Sequence, residues 1–143
     1  MKLRMVIPAL LGAMALAPAA SAGQTQPAPV QVDLDNFFAQ GDLISARDDK
    51  DGDVFIGCGT RSFAGGFEFG FCQAEDADGD RILCNIDDPV LIDAAQSTSD
   101  TSFVTFSWAD DGFGNMICNR VGTSTQSFYL DKHTMGNTQG KGN

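Results

Sequence analysis

Histidine is almost missing from this sequence. His133, near the C-terminus, is the only one. A serine or cysteine nucleophile needs a base held beside it on a rigid frame. His133 falls in the stretch 133–143, which is rich in Gly, Asn and Thr and has no apolar anchor, so it reads as a disordered tail. That removes Ser-His and Cys-His catalysis from the reading, and histidine-based metal sites with it. Glutamate is nearly as scarce, with only Glu68 and Glu75. There is no C-x-x-C pair of the kind that zinc sites use. No segment is apolar for the ~20 residues that a membrane-spanning helix requires.

The chain opens with Lys2 and Arg4, followed by an apolar stretch over 5–17, Pro18 and the small residues 19–22. This is the order of a cleavable signal peptide, 1–22, with the cut expected between Ala22 and Gly23. Removing it takes away two basic residues and no acid. Seven Lys and Arg then face 19 acids, a formal charge of −12. Such a surface repels nucleic acid and anionic membranes, which excludes both as partners. It leaves a protein or a glycan as the expected partner class. The expected location is the periplasm or the exterior of the cell.

The segment 23–40 carries Pro27, Pro29 and several Gln, and reads as a mobile lead-in. Residues 41–132 then form the expected domain. Short strands bounded by turns are predicted over 41–47, 54–58, 67–72, 82–86, 104–108, 116–121 and 126–130. Asp78-Gly79 is a hairpin signal, and Gly65-Gly66 marks another turn. One helix is expected after Asp88, which can cap it, with Pro89 at its first position and an apolar stripe of Val90, Leu91, Ala94 and Ala95. The fold class is therefore mainly β: a small antiparallel meander or sandwich of about seven short strands, with one inserted α-helix.

Cys58, Cys72, Cys84 and Cys118 all lie in the mature domain. An even count in an exported chain reads as two disulfides. If the turn is centred on Asp78, Cys72 and Cys84 stand directly opposite each other. That favours Cys72–Cys84 with Cys58–Cys118. The rival, Cys58–Cys72 with Cys84–Cys118, uses the Gly65-Gly66 turn in the same way and stays open.

The ordered pattern resembles a group of small exported bacterial proteins of unassigned function. It consists of Gly41-x-Leu43-x-x-Ala46-Arg47, Ile56-Gly57-Cys58, Cys72-x-Ala74, Asp78-x-Asp80, Cys84, Asp88-Pro89, Phe106-x-Trp108, Cys118 and Ser127-Phe128-Tyr129. The resemblance spans nearly the whole mature domain. It implies an exported domain with two disulfides and carries over no activity, ligand or catalytic residue.

Three site readings follow from the residues. Carboxylates alternate at Asp49, Asp51 and Asp53, and again at Asp76, Asp78 and Asp80, each set with a glycine at the bend. Such spacing can wrap calcium in oxygen, although both sets lack the first acid and the closing glutamate of an EF-hand loop. A two-carboxylate hydrolase would need Glu68 and an Asp in one cleft. Finally, Phe63, Phe67, Phe69, Phe71 and Phe113 crowd the glycine-rich stretches. Facing water they would form a binding patch; alternation fits a core position equally, and core is the expectation for most of them. The favoured function is a non-catalytic binding or structural module.

Overall fold

The computed structural model describes residues 24–50 and 52–130. The segment 1–22 expected to be a signal peptide, Asp51 and the segment 133–143 with His133 lie outside the described residues. The elements are β1 (Gln31–Asp33), β2 (Phe38–Asp42), α1 (Leu43–Arg47), β3 (Phe55–Ser62), β4 (Glu68–Glu75), β5 (Arg81–Ile86), α2 (Pro89–Gln96), β6 (Phe103–Asp110) and β7 (Met116–Ser124). The seven strands form one sheet in the order β1-β2-β6-β7-β5-β4-β3. Every neighbouring pair is antiparallel except β5 and β7, which run parallel and share a single register pair, Asn85 with Ile117. The sheet curls until β1 touches β4 and β2 touches β3. The fold is thus mainly β with seven strands, as the turn spacing predicts.

The curl dictates which residues can face inward. β6 fills the interior with Val104, Phe106 and Trp108. The wall opposite must be thin, and β4 supplies it with Gly70, Cys72 and Ala74. A Cβ on Gly70 would come within 3.1 Å of the Ile86 Cβ, so that position has no room for a side chain. Large residues on one wall and small ones on the other are how a narrow curled sheet fills its core. α2 lies across β7, β3 and β4 and seals the same core with Ile92 and Ala95.

Several elements differ from expectation. The lead-in contributes to the fold: Val30 and Val32 are buried, and 31–33 form edge strand β1. The predicted strand over 41–47 is the end of β2 followed by a one-turn helix. Asp42 causes the change, because its side chain accepts from the Ser45 N–H at 2.7 Å and caps α1. The predicted last strand over 126–130 is a 3-10 turn, Ser127–Tyr129, whose Phe128 C=O accepts from the Gln26 N–H at 2.7 Å. The Asp88 cap and Pro89 start of α2 are as predicted, but its apolar stripe is rotated. Val90 is 74% exposed, while Ile92 and Ala95 are buried and Leu91 packs beside them.

The disulfides are Cys58–Cys72 and Cys84–Cys118, which corrects the preferred pairing. The hairpin geometry itself holds, since Cys72 does stand opposite Cys84. It also stands opposite Cys58 on its other side. Strand order decides between them. Cys58 on β3 and Cys118 on β7 are three strand spacings apart, roughly 14 Å at ~4.8 Å per strand. A disulfide tolerates no more than about 7 Å between Cα atoms. Cys118 can reach only Cys84, at 5.1 Å, and Cys58 takes Cys72, at 4.0 Å.

Candidate functional site

With Gly70, Cys72 and Ala74 inward, strand alternation turns Phe69 and Phe71 outward. The core expectation for this run is therefore corrected. Phe67 and Phe63 stand at the hairpin end, 64% and 53% exposed. The turn between them is closed by the Phe63 N–H donating to the Phe67 C=O at 2.8 Å. Gly65 and Gly66 both take positive φ, 103° and 89°, which side-chain-bearing residues rarely adopt. The turn brings the rings on its two sides together. Phe63, Phe67 and Phe69 form a triangle of rings with centroids 5.7, 6.2 and 6.1 Å apart. Next along β4, the Phe71 ring lies under the Arg61 guanidinium, 5.0 Å from its centroid. Arg81 over Phe55 and Arg120 over Phe38 repeat that arrangement elsewhere on the outer face. Phe113, 90% exposed, sits apart at the tip of the β6–β7 turn.

The acidic turns have their own bonding. Asp76 Oδ1 accepts from the Asp78 and Asp80 N–H groups, each at 3.1 Å. Its Oδ2 accepts from the Val32 N–H at 3.0 Å, tying β1 to the β4–β5 turn. Asp78 and Asp80 are exposed. Asp49 and Asp53 lie in the segment between α1 and β3, and Asp51 is not among the described residues. Among those residues, no three His, Cys, Asp or Glu converge in a metal-holding group. The Asp111 carboxylate, in the β6–β7 turn, accepts from the Asn115 side chain at 2.8 Å and from the Phe113 and Asn115 N–H groups. These donors, the Asn115 side chain first, hold it below the ordinary carboxylate pKa. Asp33 is lowered by the same chemistry from Asn36, side chain first and then backbone.

Glu68 begins β4 and accepts from Ser62 Oγ at 2.7 Å and Gln96 Nε2 at 2.8 Å, linking β3, β4 and α2. Among the described residues the one acid that the core hides is Asp42, at 1% exposure, and sequence reasoning missed it. It accepts from the Ala28 N–H, the Ser45 N–H and Ser45 Oγ, so its oxygens serve as a cap and a tether. Nearby, Thr25, Pro27, Ile44, Ser45, Asp48 and Tyr129 line an open hollow of about 280 Å³. Ser45 there gives its hydroxyl hydrogen to Asp42, which already holds two amides. The only signal that could have marked Asp42 in the sequence is its position three residues before Ser45, at the start of an apolar run.

The chain matches no family model, no curated protein and no solved structure.

Proposed function

We propose that this chain is an exported, non-catalytic binding module. Its contact surface is the outward aromatic hairpin of β3 and β4, and its partner is a polypeptide presenting apolar side chains. The observation that carries this reading is the ring triangle in which exposed Phe63 and Phe67 stack with half-buried Phe69 beside a two-glycine turn. Exposed apolar surface of this kind marks interaction sites. The turn itself, Ala64-Gly65-Gly66, offers no polar side chain. Phe63 and Phe67, the two exposed rings, flank this turn, and an apolar protein surface fits that tip. Two disulfides and the signal-like N-terminus support an oxidising compartment outside the cytoplasm.

The test is a pair of proteins, the wild type and the double variant Phe67→Ser, Phe69→Ser, each cross-linked in the exported fraction of the producing cell. The expected result is a discrete protein adduct on the wild type that the variant loses although it still unfolds cooperatively with both disulfides formed. An adduct pattern indifferent to the substitutions would refute the assignment of the surface.

A further inference from the structure

Three of the four cysteines lie in register across β3, β4 and β5, and the fourth, on neighbouring β7, is bonded to the last of them. Cys58 on β3 is in register with Cys72 on β4, and Cys72 with Cys84 on β5. Cys84 is bonded to Cys118 on β7. In-register residues on adjacent strands point to the same face, so Cys58, Cys72 and Cys84 all project inward. The Cys58 and Cys72 Cα atoms are 4.0 Å apart, which marks a non-hydrogen-bonded pair. The backbone groups of Cys72 therefore point to β5, making Cys72 and Cys84 a hydrogen-bonded pair with Cα atoms about 5.5 Å apart. That separation is also within disulfide range. Cys72 thus has two reachable partners and a bond to only one. Exposure is unequal along the line: Cys72, Cys84 and Cys118 are buried, and Cys58 alone is partly exposed.

We infer that this ladder is a thiol–disulfide relay, carrying exchange from the partly exposed Cys58 to the buried Cys84–Cys118 bond. An external thiolate attacks Cys58 Sγ. The Cys58–Cys72 bond breaks, a mixed disulfide forms on Cys58, and Cys72 leaves as a thiolate. Cys72 then attacks Cys84 Sγ. The Cys84–Cys118 bond breaks, Cys72–Cys84 forms, and Cys118 leaves as a thiolate that takes a proton from water. The second step is an internal exchange with no net oxidation or reduction. Run in reverse, it lets a chain that has first closed Cys72–Cys84 reach the native pairing once β7 is in place. The relay is independent of the aromatic surface and of any partner there.

The test uses the full mature chain. Cys58→Ser leaves Cys72 as a thiol beside Cys84–Cys118. After prolonged incubation at about pH 8.5, which favours thiol–disulfide exchange, the sample is acid-quenched, unfolded, alkylated and mapped by peptide mass spectrometry. The expected map contains both Cys84–Cys118 and Cys72–Cys84, with alkylation at Cys118 rising as that at Cys72 falls. Alkylation confined to Cys72 would overturn the relay. A second arm opens wild-type protein with limiting glutathione, so the result does not depend on the variant folding. The glutathione adduct is expected on Cys58, with the free thiol divided between Cys72 and Cys118. An adduct first on Cys84 or Cys118, or a free thiol only on Cys72, would contradict the proposal.

Discussion

A carboxylate held away from water by three donors, as Asp42 is, strands those donors when it is removed. Asp42→Ala should lose the α1 cap and leave the Ala28 and Ser45 groups unpaired. The expected cost is about 3 kcal/mol in urea unfolding. Asp76 is more open but closes the curl through Val32. Asp76→Ala should cost about 2 kcal/mol, and the same change at exposed Asp78 no more than about 0.5 kcal/mol. Equal effects at the two positions would mean that the Val32 tether contributes nothing. Because Asp76 already accepts three amides, added calcium or EDTA should leave the melting temperature unchanged. Asp33 and Asp111 each contribute to the pH dependence of stability. Their folded pKa values lie below that of an ordinary aspartate. The stability they contribute is therefore present above that value and is lost as pH falls through their folded pKa values. Asn115→Ala removes the main donor to Asp111, and the variant should lose less stability than wild type when pH is lowered below about 4.

At the scale of elements, the weak point of the sheet is the parallel seam between β5 and β7. One register pair joins them, and the Cys84–Cys118 bond reinforces it. The chain-entropy contributions are about 4 kcal/mol for this loop and about 3 for Cys58–Cys72. With the seam weakened as well, Cys84→Ser with Cys118→Ser should destabilise more than Cys58→Ser with Cys72→Ser; the reverse order would place the seam's stability elsewhere. The outward β4 face gives a second contrast. Phe69→Ser should change stability by no more than about 1 kcal/mol, whereas Phe106→Ala, in the core, should cost about 3–5 kcal/mol. The alternation of Phe67, Phe69 and Phe71 with Glu68, Gly70 and Cys72 announces a strand but not its buried face. Only the volume left by Phe106 and Trp108 across the curl selects the small residues for the interior. Likewise, the Asp78 turn reveals that Cys72 opposes Cys84. It cannot reveal that β7 lies beside β5, a non-local pairing that decides the disulfides. The Asp88-Pro89 helix start was legible because capping is local. The core valines of the lead-in were not, because the Val30-Gln31-Val32 alternation is short and directly follows Pro27 and Pro29, which read as a linker.

Over the whole molecule, strand directions sort the turns. The β1–β2, β4–β5 and β6–β7 turns share one end of the sheet, and each carries its own aspartates. The Phe63–Phe67 hairpin lies at the other end, beside the C-terminus of α2. The account holds together only if β7 neighbours β5, because that order fixes the curl, the thin β4 wall and the outward phenylalanines at once. The measurement that tests this most directly is a disulfide map of the untreated mature protein, digested under acidic conditions that prevent exchange. The prediction is Cys58–Cys72 and Cys84–Cys118. A map with Cys58 joined to Cys118 would require β3 beside β7, and would contradict both the strand order and the exposed aromatic surface built on it.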